Sequence, residues 1–112
     1  MLAISWQESG WQQYRRSSAG AIGAMQVMPA TGRWISLYVG RRLNIYGLRD
    51  NVLAGVVLFR VLRDMASYRR SIGGYYQGLG SIRQHGMYHS TRHYVRNVVA
   101  IRRALDRGWR PG

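Results

Sequence analysis

Residues 1–29 decide the fold: Met1-Leu2-Ala3-Ile4-Ser5-Trp6-Gln7-Glu8-Ser9-Gly10, then a loop rich in glycine and serine, then Gly23-Ala24-Met25-Gln26-Val27-Met28-Pro29. Leu2, Ala3, Ile4 and Trp6 are apolar with no cap ahead of them. Met1 to about Ser9 therefore reads as the C-terminal part of a helix that Gly10 stops. Residues 10–24 hold Gly10, Gly20, Gly23 and the Ser17-Ser18 pair and read as loop. Pro29 suits the first turn of a second helix, where a missing N–H and a fixed φ are tolerated. The stretch predicts helix, glycine loop, helix, with one acid, Glu8, at the first junction.

Outward from there, the second helix runs from Pro29 to about Arg41, and Asn44 to Gly47 is a connection. Asp50 is predicted to cap a third helix reaching about Ala66. Val52, Leu53, Val56, Val57, Phe59, Val61, Leu62 and Met65 nearly encircle that helix, which predicts a central, buried element, with Gly55 allowing close packing. Residues 68–77 form a short fourth helix ending near Gly78 and Gly80, and Ser81 to Gln84 adds a turn. The last helix, Thr91 to about Arg107, carries the stripe Tyr94, Val95, Val98, Val99, Ile101, Arg102 and Leu105. Gly108 stops it, leaving 108–112 as a tail or the start of a linker. With no period-2 strand and no repeat, the fold class is mainly α, one domain over 1–107.

The 112 residues carry a formal net charge of +13, with 17 basic residues, all arginine. That field attracts polyanions, and charge alone does not separate nucleic acid, anionic membrane and cell wall. Arginine pairs such as Arg15-Arg16 and Arg41-Arg42 are dispersed and match no nucleic-acid motif, so nucleic acid is not the expected partner. No segment approaches the ~20 apolar residues that span a bilayer, so no membrane insertion is expected. The opening residues are too short and uncharged for a signal peptide, which places any export signal outside this chain. Cysteine is absent. His85, His89 and His93 fall at i, i+4, i+8, but Gly86 and Ser90 interrupt the stretch and no carboxylate joins it, so they read as solvated histidines, with no metal and no cofactor.

Glu8 is the only glutamate; the other carboxylates are Asp50, Asp64 and Asp106. Cleaving a glycosidic bond requires an acid that stays protonated near neutral pH, and burial against apolar and aromatic groups raises a carboxyl pKa. Ile4, Trp6 and Trp11 around Glu8 offer that setting. Spacing alone favours the plainer reading, a surface glutamate on a short helix.

Gln7-Glu8-Ser9-Gly10-Trp11 resembles the Glu-Ser motif of soluble lytic transglycosylases (SLT-type, glycoside hydrolase family 23, related to goose-type lysozyme). Ser17-Ser18-Ala19-Gly20-Ala21-Ile22-Gly23-Ala24-Met25-Gln26-Val27-Met28-Pro29 resembles the family's Ser-x-x-Gly-Ala-x-Gly-Leu-Met-Gln-x-Met-Pro segment. Gly74 to Gly80 falls where the family has Ala-Tyr-Asn-Ala-Gly, and Arg92 to Val98 resembles its Tyr-Val helix. Ala24 departs from the family's Leu, and Gln77 is read as replacing its Asn. The resemblance implies a compact, lysozyme-like helical domain with a substrate groove. Family domains carry more residues before the catalytic glutamate, so the start of the first helix is expected to be missing.

By the same resemblance Glu8 is the catalytic acid and base. Ser9 bonds near Glu8 or to the leaving sugar, or else is a plain helix-end residue. Ser17, opening the loop motif, joins the substrate-binding set. Met25 packs beside a sugar ring or in the core, and Gln26 bonds an N-acetyl or hydroxyl group. Tyr76 and Gln77 line the groove. Tyr94 brings its hydroxyl to the Glu8 carboxyl or is a core tyrosine, and Trp11 is a stacking platform or a wall. The implied activity is lytic cleavage of the β-1,4 bond between N-acetylmuramic acid and N-acetylglucosamine in peptidoglycan glycan strands, leaving 1,6-anhydro ends. It would be carried out by a monomer in the periplasm or outside the cell. A lysozyme-like hydrolase and a non-catalytic wall-binding module are the alternatives.

Overall fold

The computed structural model describes residues 1–111. Six helices follow in order: α1 (Leu2–Ser9), α2 (Pro29–Val39), α3 (Leu48–Met65), α4 (Tyr68–Gln77), α5 (Leu79–His85) and α6 (His89–Asp106). Mainly α is the class the sequence predicts. Among the described residues the only β pairing is two isolated bridges, Arg16 with Ile22 and Ile22 with Val27. No described helix is long and apolar enough to cross a membrane.

α4, rather than α3, occupies the centre, packing against α3, α5 and α6. Its side chains explain why. Ser71, Ile72, Gly73 and Gly74 are buried, and small residues let neighbours approach. A Cβ on Gly73 would lie 2.8 Å from Met87 Cε, and one on Gly74 would lie 3.2 Å from Leu62 Cδ2. The buried α3 predicted from its apolar ring is corrected: only Asn51, Ala54, Gly55 and Leu62 are buried on it. α2 and α4 cover two sides of this 18-residue helix, and Val52 and Met65 remain exposed.

Asp50 is not the cap of α3. The helix begins after Gly47, and Asp50 in its first turn accepts from the Asn44 N–H at 2.9 Å and from Arg41 at 3.0 Å. Those two donors hold its carboxyl below the usual carboxylate range. The expected turn at 81–84 is a full short helix, α5. His85 closes α5 while His89 opens α6, so the three histidines do not share one helix.

α1 and α6, the first and last helices, pack on one another. The segment read as tail folds back: the Trp109 N–H donates to the Ala104 carbonyl at 2.9 Å, and its ring meets Trp6 edge-on, centroids 5.9 Å apart. Trp6 meets Trp11 in the same way at 5.3 Å. The most buried large side chains are Ile4, Met25, Ile35, Ile72 and Ile82, one each from α1, the loop, α2, α4 and α5.

Candidate active site

The glycine–serine loop is an ordered double turn. Ser17 tightens the first: its N–H donates to the Ala21 carbonyl at 3.0 Å and its hydroxyl accepts the Ala21 N–H at 2.9 Å. In the second, Ile22 and Val27 exchange both backbone hydrogen bonds, at 3.0 and 2.9 Å, around residues 23–26. Gly23 has a φ of 80°, and a Cβ there would fall 2.5 Å from the Asn51 amide nitrogen, so glycine is required on two counts. Gln26 also adopts a positive φ, 50°, which a side chain rarely tolerates. Its Nε2 offsets the strain by donating to the carbonyls of Gly23 at 2.9 Å and Arg15 at 3.1 Å.

Four elements pin this turn. From α1, Ser5 and Ser9, one helical turn apart, both reach the Ala24 carbonyl, at 2.7 and 2.8 Å. From the loop's own start, Gln13 Oε1 accepts the Ala24 N–H at 3.0 Å. From α3, the fully buried Asn51 accepts the Met25 N–H at 2.9 Å and donates to the Ile22 and Ile45 carbonyls at 2.8 and 2.9 Å. From α4, the Tyr75 hydroxyl donates to the Met25 carbonyl at 2.8 Å. The Ala24 and Met25 backbone groups find no partner within the turn, which is why buried polar side chains gather around it.

Glu8 stands at the end of α1 beside this frame. It is half-buried, and Tyr94 on α6 donates its hydroxyl to Glu8 Oε2 at 2.8 Å. Burial raises the Glu8 pKa above its ordinary 4.5, and the Tyr94 bond, which favours the carboxylate, works partly against it. Tyr94 is itself buried, and its phenol is pushed upward by burial and by the facing carboxyl. Tyr75 is raised for the same two reasons. Tyr76 lies half exposed with its ring stacked on Tyr94, centroids 4.7 Å apart and planes 26° from parallel. One carboxyl thus meets a cluster of three tyrosines from two helices.

The side chains singled out in the sequence part into two groups. Glu8, Tyr94 and Tyr76 come together directly. Ser9, Ser17 and Met25 serve the loop: the Ser9 hydroxyl bonds Ala24 and the Gln12 N–H, and Met25 is buried against Gly55. Gln26 turns its nitrogen into the loop, and its Oε1 accepts no hydrogen bond among the described residues. Gln77 turns away from the cluster. Its Nε2 donates to Ser81 Oγ and the Gly86 carbonyl, and its Oε1 accepts from the Tyr88 N–H and the Thr91 hydroxyl, tying α4 to α5 and α6. Trp11 donates its indole N–H to the Leu2 carbonyl at 2.9 Å and meets Trp6 edge-on, which anchors it to α1.

Ser5, Gln13, Asn51 and Tyr75 are frame residues that the sequence does not single out. Ser5 is a polar residue inside an apolar helical stretch, but its main-chain partner leaves no mark in the sequence. The remaining carboxylates are occupied or distant in character: Asp50 pairs with Arg41, Asp106 is exposed beside Arg102, and Asp64 is exposed near the end of α3. A cavity of about 1080 Å³ lies between α2 and residues 40–46. Its walls, among them Arg33, Leu37, Arg42 and Tyr46, contain no carboxyl and none of these site residues, so it offers no comparable acid.

The model of one family, described as the transglycosylase SLT domain, matches residues 1–96. Among solved structures, an inactive glutamate-to-glutamine mutant of the lytic transglycosylase Slt from Pseudomonas aeruginosa superposes with a TM-score of 0.80 at 25% identity, over 93% of this chain and 21% of that one. The 70 kDa soluble lytic transglycosylase Slt70 from Escherichia coli gives a TM-score of 0.81 at 24% identity, over 95% of this chain and 21% of that one. This chain therefore spans about a fifth of either protein and shares the fold of that fifth.

Proposed function

The chain belongs to the transglycosylase SLT domain family, and from that premise we propose that it cleaves the β-1,4 bond between N-acetylmuramic acid and N-acetylglucosamine in peptidoglycan, with Glu8 as its single acid and base. The observation that carries this reading is the Glu8 carboxyl itself: half-buried, raised in pKa, held by Tyr94 at 2.8 Å and standing beside a pinned glycine turn. A raised pKa keeps a carboxylic acid protonated closer to neutral pH, as a proton donor must be.

In the first step Glu8 gives its proton to the glycosidic oxygen as the bond from C1 of the muramic residue to that oxygen breaks. The N-acetyl carbonyl of the sugar supports the positive charge left on C1. The Glu8 carboxylate, steadied by the Tyr94 hydroxyl, next takes the proton of the muramic C6 hydroxyl while that oxygen closes on C1. The product is a 1,6-anhydro end, Glu8 is protonated again, and no water is consumed. Because the attacking hydroxyl belongs to the same sugar, the second step gains from intramolecular proximity. This scheme needs one carboxyl, which agrees with the engagement of Asp50 and Asp106 elsewhere.

In this reading Gln26 offers its free Oε1 to a substrate donor, and Tyr76 presents its outer face to the glycan. Ser9, Ser17 and Met25 shape the loop that the strand lies against, and Gln77 supports the α4–α5 corner behind it. The net charge of +13 draws the protein toward a wall polymer rich in carboxylates and phosphates. Such a substrate places the working protein in the periplasm or outside the cell.

Mass spectrometry of muropeptides released from purified peptidoglycan tests the reading. Anhydro-muramic ends that disappear in Glu8→Gln are the expected result. Reducing ends would instead identify a hydrolase, and undiminished release by Glu8→Gln would refute the role of Glu8.

A further inference from the structure

Tyr76 occupies a place that lining a groove does not account for. Its ring lies 4.7 Å from that of Tyr94, nearly parallel, and the Tyr94 hydroxyl ends 2.8 Å from Glu8 Oε2. Tyr76, 49% exposed, lies over Tyr94, only 5% exposed, whose hydroxyl reaches the half-buried Glu8. A phenol ring can turn about its own bonds, and a hydrogen bond to a half-buried carboxyl holds only while the ring keeps its direction. α6 supplies one support for Tyr94, the backbone that carries it. The core around the buried Tyr94 and the stacked Tyr76 ring from α4 supply others, and the stack bears on the ring face because parallel rings resist sliding apart.

We infer that Tyr76 is a positioning residue: it holds the Tyr94 phenol on the Glu8 carboxylate through the ring stack, and so takes part in setting the acidity of Glu8. The titratable side chains around Glu8 are Tyr75 from α4 and Tyr94 from α6, with Tyr76 behind Tyr94; among the described residues no arginine pairs with it. Tyr75 spends its hydroxyl on the Met25 carbonyl, which leaves Tyr94 as the donor whose loss Glu8 feels. The sign follows. The Tyr94 bond favours the ionised carboxyl, so weakening it raises the Glu8 pKa further.

The sequence provides an unusually direct test, since Glu8 is the only glutamate. Protein labelled with carbon-13 at the glutamate carboxyl gives one side-chain carboxyl resonance, whose pH titration reads Glu8 alone and without substrate. Tyr94→Phe removes the donor and moves the midpoint up. Tyr76→Leu keeps apolar bulk, removes the stack, and moves it up by less; Tyr76→Met repeats the test with a second unstacked side chain. Tyr76→Phe keeps the ring and leaves the midpoint in place. In the Tyr94→Phe background Tyr76→Leu adds nothing, the non-additivity expected of residues acting through one bond.

An equal shift from Tyr76→Leu in both backgrounds would overturn the inference, because Tyr76 would then act by burial alone. No shift in the wild-type background would overturn it too. The catalytic meaning rests on the proposed role of Glu8, but the titration does not. Inactivity toward peptidoglycan would leave the positioning role standing, and a failed titration would leave the proposed reaction standing.

Discussion

Asn51→Ala is the substitution whose cost can be worked out most fully. Asn51 is 0% exposed and makes three hydrogen bonds to main-chain groups of two segments. Their fates differ when the amide is removed. The Ile22 carbonyl keeps the Val27 N–H at 2.9 Å, and the Ile45 carbonyl keeps Gln13 Nε2 at 3.2 Å. The Met25 N–H keeps nothing among the described residues. One orphaned buried donor costs about 1–3 kcal/mol, and each of the two other lost bonds about 0.5–1.5 kcal/mol, so the sum centres near ~4 kcal/mol. For a domain of this size about 4 °C of Tm accompanies each kcal/mol, which gives a fall of about 15 °C. Thermal unfolding followed by far-ultraviolet circular dichroism measures it directly. A fall of less than about 4 °C would mean that the turn finds other partners and that Asn51 does not pin it.

Glu8→Gln should be more stable than the parent at neutral and higher pH. A raised folded-state pKa means that ionised Glu8 is disfavoured in the folded protein, a cost that appears as pH rises through the folded value and vanishes below the ordinary 4.5. Melting both proteins across pH should show the gap closing on acidification; a gap that widens would contradict the burial argument. Gly55→Ala should destabilise by about 1–3 kcal/mol, since its Cβ would sit 2.7 Å from the Met25 Cβ and push the loop off α3. Denaturant unfolding checks this, and an unchanged midpoint would show that Met25 gives way freely. Gln77→Ala should cost about 2 kcal/mol by stripping the buried Thr91 hydroxyl and the Tyr88 N–H of their acceptor. Lost turnover at unchanged Tm would instead return Gln77 to the groove.

The helices were legible because their stops and starts are local chemistry. Gly10 and Gly40 take left-handed backbone at the ends of α1 and α2, and Pro29 opens α2. Glu8 and Tyr94 were legible through motifs rather than periodicity, since nothing local says that residues 86 apart will meet. The misreadings have a shared cause. Counting apolar positions on α3 measures what a helix could bury, whereas what it does bury depends on which neighbours arrive, and the small residues of α4 brought them there instead. The position of Asp50 ahead of the apolar run predicts a cap, yet its side chain reaches back to Asn44 and Arg41. The frame residues Ser5, Gln13 and Asn51 were hidden because their partners are main-chain groups, which sequence does not distinguish.

The contact between α1 and α6 has a consequence for the order of events during synthesis. Glu8 is made 86 positions before Tyr94, which arrives on the helix that covers it. Bringing such distant segments together is the slow, entropically opposed part of folding. Until α6 has emerged and docked, Glu8 lacks both its cover and its partner and titrates as an ordinary glutamate in water. The acid on which the proposed chemistry depends is therefore assembled last, so a nascent or clipped chain that ends before α6 carries the glutamate without the means to use it.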